Sequence, residues 1–147
     1  MTIDQSELAS VATQVWQLIM QSEIVPALVE GLSSDAAPQV AHISLSGAYT
    51  CEVALQLDTR LIKNAAATMF GIEAEDVTEV EMADTARELA NMVGGNVKCL
   101  VEQPTDLGLP QITPADEFHR KYTAASCQLA FEYEGAPMYV SVYDRAA

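Results

Sequence analysis

The chain has 147 residues, half of them hydrophobic, and its 21 acidic side chains outnumber 7 basic ones to give a net charge of −14. A chain of this length and composition can bury a core without disulfides or structural metals. Its negative charge repels phosphate, which argues against nucleic acid or an anionic membrane as a partner and favours proteins or small molecules. The sequence contains no apolar run of about 18 residues, the length of a membrane span. The N-terminus also lacks the pattern of a signal peptide, so we expect a cytoplasmic protein.

Three cysteines are widely spaced along the chain and form no CxxC motif. Cys51, Cys99 and Cys127 each lie inside an apolar segment. Their odd number and their spacing predict reduced thiols in the core of a cytosolic protein.

The first third of the chain predicts one helix followed by a β-hairpin. Apolar side chains recur at helical spacing over residues 4–25, and Pro26 would end or kink this helix. Residues 30–38 are rich in small and polar side chains and predict a loop. Alternation of apolar and polar side chains then predicts strands over residues 39–46 and 51–57. A Gly-Ala dipeptide between these strands is a turn signal, so the two should pair.

Two helices are predicted in the middle of the chain. The shorter one covers residues 60–70 and follows side chains that can cap its first turn. The longer one covers residues 81–102 and should end before Pro104. Thr78 stands three residues before Glu81, which is the spacing of a capping box at the start of this central helix.

The last third of the chain predicts strands. Residues 109–113 are short, interrupted by Pro110 and followed by Pro114, and fit either an edge strand or an ordered loop. Alternation over residues 122–133 and 138–143 predicts a second hairpin. Because the strands come in hairpins and not in βαβ units, we expect an α+β fold in which an antiparallel β-sheet is covered by long helices. Each half begins with a long helix and continues into a hairpin, which allows a loose internal pseudo-two-fold repeat.

The central helix has an apolar face and a polar face. At 100° per residue, six apolar side chains fall within about 40° of one direction and fit a core. These are Met82, Ala86, Leu89, Val93, Val97 and Leu100. The opposite side, called the polar stripe below, carries Asp84, Glu88, Asn91, Gly95, Lys98 and Glu102. Within the stripe, a carboxylate and a carboxamide lie one turn apart at Glu88 and Asn91.

Most catalytic motifs are missing from the sequence. It has no GxSxG, GxxxxGK[ST] or GxGxxG segment, so neither a nucleophile elbow nor a nucleotide cradle is indicated. The two histidines, His42 and His119, are expected to be ordinary surface or core residues. Glu81, Asp84 and Glu88 lack a neighbouring histidine, which favours a solvated helix face over a metal site.

Two glycines inside the central helix set it apart from an ordinary amphipathic helix. Gly94 and Gly95 each cost roughly 1 kcal/mol relative to alanine. Gly94 lies toward the flank and suits close packing of the helix on the sheet. Gly95 lies on the polar stripe, where a flat surface would admit the backbone of another protein. The pattern also fits a solvated helix face with an incidental pair of glycines.

A carboxamide beside a carboxylate supports a limited chemistry. The amide of Asn91 has a donor and an acceptor but no useful pKa, so it can orient a water molecule without acting as a base. The Glu88 carboxylate can pair with a lysine of a partner. An exposed pair of this kind can complete an active site that another protein holds.

The segment ELANMVGGNVK over residues 88–98 resembles the signature helix of the CheX-type chemotaxis phosphatases, within the CheC/CheX/FliY group. The pattern of that helix is E-x-x-N followed by two small residues and a second asparagine, here Asn96, which we expect to be structural. The segment LGLPQI over residues 107–112 is similar to the stretch that follows the helix in CheX proteins. The resemblance implies a single CheX-like phosphatase domain over residues 1–147, with internal pseudo-symmetry and a homodimer formed through a sheet.

The resemblance also implies an activity, the hydrolysis of the aspartyl phosphate on a CheY-like response regulator. Asn91 would orient the attacking water, and Glu88 would dock on the regulator's lysine. Asp84, Gly95 and Lys98 would line the contact with this partner. Mg²⁺ would be supplied by the regulator, so no cofactor of the chain's own is expected. One alternative is a CheX-like adaptor that binds a receiver domain without hydrolysing its phosphate, and a weaker one is a structural or switch-complex domain as in the FliY branch.

Overall fold

The computed structural model describes residues 2–27 and 36–145, which form helices and strands. In chain order the elements are α1 (Gln5–Met20), β1 (Val25–Ala27), β2 (Gln39–Gly47), β3 (Cys51–Leu57), α2 (Thr59–Phe70), α3 (Glu79–Cys99), β4 (Thr105–Leu107), β5 (Gln111–Pro114), α4 (Ala115–Lys121), β6 (Cys127–Tyr133) and β7 (Ala136–Asp144), with a 3-10 turn at Ala74–Asp76. Of the loop predicted over residues 30–38, residues 30–35 lie outside the described part of the chain.

The strands of the described residues form one antiparallel sheet in the order β1-β6-β7-β3-β2-β4, with β5 also paired to β2. The hairpins β2–β3 and β6–β7 lie side by side at the centre, where β3 pairs with β7. Each half of the chain adds a short edge strand to the hairpin of the other half, since β1 pairs with β6 and β4 with β2. This arrangement confirms the antiparallel α+β fold and its pseudo-two-fold repeat.

Strands β4 and β5 together form one interrupted edge beside β2. Leu107 lies opposite Leu45, and Gln111 lies opposite His42. The edge advances four positions between these pairs (107 to 111) while β2 advances three (45 to 42). Residues 108–110 therefore contain one extra residue, which is a β-bulge. The prediction for this region was an edge strand or an ordered loop, and the structure combines the two.

The main core lies between one face of the sheet and helices α1, α2 and α3. Alternate residues of the central strands supply the apolar floor, as the sequence predicts. A smaller cluster lies on the opposite face, where Phe118 of α4 packs against Val40, Ala54 and Tyr143. Helix α4 thus covers part of the face that α3 leaves open.

Three element boundaries differ from the predictions. Helix α1 ends at Met20 because Gln21 adopts a left-handed backbone with φ of 51°, and β1 follows it. Helix α3 ends at Cys99, several residues before Pro104. The strand predicted over residues 122–133 begins only at Cys127.

Helix α4 is the element that periodicity missed. Its seven residues are too few to show a clear helical period. A charge signal was present, because Asp116 and Glu117 lie in its first turn and basic side chains fill its last turn. His119, expected to be an ordinary surface or core residue, is an exposed residue of this helix.

The prediction of core thiols holds for two of the three cysteines. Cys51 and Cys127 are buried, whereas Cys99 is exposed. The error at Cys99 follows from helix geometry, because this residue lies about 140° around α3 from the sheet-facing Gly94 and points away from the core.

Candidate functional site on helix α3

Helix α3 begins with the capping box that the sequence predicts. The backbone N–H of Glu81 donates to the Thr78 hydroxyl at 3.2 Å, and the backbone N–H of Thr78 donates to the Glu81 carboxylate at 2.9 Å. Glu79 and Glu81 also place negative charge at the positive end of the helix dipole. These contacts fix where the helix starts.

Four residues of the predicted apolar stripe, Ala86, Leu89, Val93 and Val97, are buried, whereas Met82 and Leu100 are only half-buried. Thr85, Ala86, Leu89, Ala90, Val93, Gly94 and Val97 are buried. A Cβ atom added at Gly94 would lie 2.5 Å from Cγ2 of Ile43 and 3.3 Å from Cδ1 of Leu107. Such distances are too short for a side chain, so the glycine lets α3 approach β2 closely, as predicted.

Gly95 differs from its neighbour because the chain's own packing does not require a glycine there. A Cβ atom at Gly95 would lie 3.9 Å from Cδ2 of Leu107, an ordinary van der Waals distance. No contact of the described residues thus explains the missing side chain.

The two glycines also show where the polar stripe points. Gly94 faces Ile43 of β2, whereas Gly95, which lies 100° further around the helix, faces Leu107 of β4. Glu88 and Asn91 lie within about 40° of the direction of Gly95. The polar stripe therefore rises above the edge of the sheet that β4 and β5 form.

The stripe residues are accessible at this edge. Glu88, Asp84 and Lys98 are exposed, and Asn91 and Gly95 are half-buried. Asp84 accepts a hydrogen bond from Nη1 of Arg87 at 3.0 Å. The five residues predicted to form the site thus share one side of α3, and none of them is buried against the sheet.

Asn96 lies outside the stripe. Its Nδ2 atom donates to the Met92 carbonyl at 2.8 Å, and its side chain lines a groove with Ser10 and Gln14 of α1. A position between two helices fits the structural role expected for Asn96.

A polar network on the opposite face of the sheet escaped the sequence analysis. Nδ1 of His42 lies 2.6 Å from Oε2 of Glu52, and Nε2 lies 2.7 Å from the Thr113 hydroxyl. The Ser44 hydroxyl donates to Glu52 at 2.5 Å. Burial favours the neutral carboxyl, but the hydrogen bonds from His42 and Ser44 outweigh burial and hold the pKa of Glu52 below its ordinary value.

The sequence feature that could have revealed this network is the alternation of side chains along the first hairpin, β2–β3. It places His42 and Ser44 on one face of β2, and pairing sets Glu52 opposite Ser44. The network lies across the sheet from α3, so it does not belong to the polar stripe. His42 is the buried core histidine that was one of the two predicted outcomes.

Two further features bear on the kind of site. Within residues 2–27 and 36–145, no three His, Cys, Asp or Glu side chains converge in a way that could hold a metal ion. Among the same residues, no helix combines the length and apolar character needed to cross a lipid bilayer.

Solved structures of similar fold come from bacterial chemotaxis. CheX from Vibrio vulnificus is 15% identical with a TM-score of 0.72, over 95% of this chain and 97% of that one. A CheC-like superfamily protein from Shewanella sp. PV-4 is 17% identical with a TM-score of 0.73, over 96% of both chains. A chain of the CheX-CheY-BeF3-Mg+2 complex from Borrelia burgdorferi is 16% identical with a TM-score of 0.71, over 96% of this chain and 97% of that one. These likenesses establish the fold as that of the CheX and CheC chemotaxis proteins.

A family model described as chemotaxis phosphatase CheX matches residues 39–134. The match covers well over half of the chain and includes the whole of α3 with its polar stripe. The chain therefore belongs to the CheX family of chemotaxis phosphatases. No curated sequence matches it significantly.

Proposed function

We propose that the chain hydrolyses the aspartyl phosphate of a CheY-like response regulator, with Asn91 orienting the attacking water and Glu88 docking on a lysine of the regulator. The observation that carries this proposal is the accessibility of Glu88 and Asn91, which lie one turn apart on the side of α3 that faces away from the core. Membership of a family described as chemotaxis phosphatases supports the reaction.

The chemistry assigned to each side chain follows from its functional groups. The Asn91 amide offers a donor and an acceptor at fixed angles, so it can hold a water in line with the phosphorus. The exposed Glu88 carboxylate can form an ion pair with a lysine at the partner's phosphorylation site. Mg²⁺ and the phosphorylated aspartate would belong to the regulator. A solved complex of CheX with CheY, BeF3 and Mg+2 from Borrelia burgdorferi supports a CheY-like protein as the partner.

The rest of the stripe would shape the contact with the regulator. Gly95 leaves a flat surface that the chain's own packing does not demand. Asp84 and Lys98 are exposed at either end of this surface and would meet charged groups of the regulator. A homodimer and a cytoplasmic location complete the proposal, and light scattering of the purified protein tests the first of them.

A dephosphorylation assay tests the proposed reaction. Purified CheY-like receiver domains from the same organism are phosphorylated with a small phosphodonor, and the loss of aspartyl phosphate is followed with and without the chain. The wild-type chain should accelerate the loss for at least one receiver. Asn91→Ala should lower the rate of dephosphorylation by the chain about 100-fold, because a misplaced reactant slows a reaction by about that factor. Asn64→Ala, a half-buried amide on α2, is the matched control and should act like the wild type.

A binding measurement separates the enzyme from the adaptor. The same receiver is held in its activated form with beryllofluoride and titrated with each variant. Asn91→Ala should still bind, whereas Glu88→Ala should bind more weakly than Glu75→Ala, an exposed control outside the stripe. If the wild type binds the receiver but does not accelerate the loss of phosphate, the chain is an adaptor and the proposed phosphatase activity is wrong.

A further inference from the structure

One large apolar side chain stands out at the edge beside the polar stripe. Leu109 lies in the bulge between β4 and β5 and is 83% exposed, the largest exposed fraction among the large apolar side chains of the described residues. A single exposed leucine needs no explanation on most surfaces. This one lies in a bulge, and bulges re-aim side chains beside functional sites.

Backbone contacts with β2 flank the bulge on both sides. The backbone N–H of Gly108 donates to the Ser44 carbonyl at 2.8 Å, and Gln111 resumes pairing opposite His42. A Cβ atom at Gly108 would lie 3.3 Å from the Ser44 carbonyl oxygen, which favours a glycine at that position. Leu109 thus lies between two residues whose backbones are tied to β2.

The contacts on either side of the bulge place it along α3. Leu107 reaches Gly94 and Gly95, near the end of the helix. Ile112 lines a cavity with Met82 and Ala86, near its beginning. Residues 108–110 therefore run beside the middle turns of α3, on the side toward which the polar stripe points.

The negative charge of this surface favours a partner with a basic group. The stripe and the adjoining residues carry four acidic side chains, Asp84, Glu88, Glu102 and Asp106, of which Glu102 follows the end of α3. The cations are Lys98 and Arg87, whose guanidinium pairs with Asp84, so this surface is net negative, and all six side chains are exposed. A complementary partner presents a lysine next to an apolar patch, and a lysine next to the reacting phosphate is what the proposed function requires.

We propose that Leu109 is an apolar anchor for the phosphorylated receiver domain, binding beside the point where Glu88 docks. This inference rests on the proposed function and names a second contact for the same partner. Because Leu109 acts through binding and lies apart from the reacting atoms, its loss should raise KM and leave kcat unchanged.

The test compares two exposed leucines. Leu109→Ala should raise KM for the phosphorylated receiver about tenfold and keep kcat within about twofold, the loss expected of an apolar contact at the centre of an interface. Leu18→Ala removes a leucine that is 71% exposed on α1 and should change neither value. Equal KM values for Leu109→Ala and the wild type would overturn the inference.

Binding measurements distinguish the failure of this inference from the failure of the proposed function. In the Asn91→Ala background, binding to the beryllofluoride-activated receiver should persist and should weaken about tenfold when Leu109→Ala is added. A wild type that binds and dephosphorylates with no role for Leu109 overturns only the inference. A wild type that neither binds nor accelerates overturns both. If Leu109→Ala instead converts a wild-type dimer to a monomer at unchanged KM, a second copy of the chain covers the leucine and the inference is wrong.

Discussion

The imidazole of His42 and the carboxylate of Glu52 lie 2.6 Å apart on the face of the sheet opposite α3. Glu52 is only 2% exposed, and the Ser44 hydroxyl bonds its second oxygen. The Tyr122 hydroxyl at 3.4 Å and the Arg145 guanidinium at 3.7 Å also face this carboxylate. A buried carboxylate with so many partners ties β2, β3 and the residues around α4 together.

This pairing predicts how stability depends on pH. Burial alone would raise the pKa of Glu52, but its hydrogen bonds lower it below the ordinary 4.5. A carboxyl whose pKa is lower in the folded than in the unfolded chain stabilises the fold above its unfolded pKa, and this contribution is lost as the pH falls through the folded pKa. Glu52→Gln should therefore lower the free energy of unfolding at neutral pH by about 1–3 kcal/mol.

The slope of stability against pH is the decisive measurement. Urea unfolding at a series of pH values should show that the free energy of the wild type falls more steeply below about pH 5 than that of Glu52→Gln. Glu102→Gln changes an exposed carboxylate that follows α3 and should keep the wild-type slope. Parallel curves for Glu52→Gln and the wild type would show that the pair carries no pH-dependent stability.

The three thiols should differ in reactivity. Cys51 is fully buried, and burial raises the pKa of its thiol to about 12, so almost no thiolate is present at neutral pH. Burial also raises the pKa of the Cys127 thiol, whereas Cys99 is exposed. Iodoacetamide should modify Cys99 in the native protein and the other two only after unfolding, as measured by mass spectrometry. Cys99→Ser is the control, and rapid native labelling of this variant would contradict the prediction.

The features that sequence reasoning could reach are those set by local periodicity. The alternation of residues 39–46 and 51–57 predicted the first hairpin, because successive side chains of a strand point to opposite faces of the sheet. Thr78 and Glu81 marked the start of α3 because a capping box is a contact between neighbours. The 3.6-residue period of the helix placed Glu88 and Asn91 on one side of it.

The features that escaped depend on which segments pair in space. Strand β1 has three residues and lies next to β6, which is more than a hundred positions away in the chain. The exposure of Leu109 follows from a bulge, and a bulge is defined only by the register of two strands. The bond between His42 and Thr113 likewise joins β2 to β5 across 71 positions. No local pattern carries these relationships.

The capping box at the start of α3 should make a measurable contribution to stability. Thr78→Ala removes the hydroxyl that accepts from the Glu81 N–H and should lower the free energy of unfolding by about 1 kcal/mol. Thr78→Ser keeps that acceptor and should stay close to the wild type in urea unfolding. If alanine and serine at this position give equal stability, the helix start is set by the neighbouring packing and the cap contributes nothing.

The glycine pair offers the sharpest contrast between fold and function. Gly94→Ala would push a Cβ atom to 2.5 Å from the fully buried Ile43, and such overpacking should cost about 1–3 kcal/mol of stability. Gly95→Ala meets nothing closer than 3.9 Å, so its better helix propensity should raise stability by up to about 1 kcal/mol. Urea unfolding of the two variants measures this difference directly.

The same two variants then report on the partner surface. Under the proposed function, Gly95→Ala should be the more stable protein and the poorer phosphatase, because its methyl group occupies space at the docking surface. Its kcat/KM for the phosphorylated receiver should fall, whereas the free energy of unfolding rises. If Gly95→Ala instead loses stability as Gly94→Ala does, the glycine serves the chain's own packing. The flat surface beside Asn91 would then need no partner to explain it.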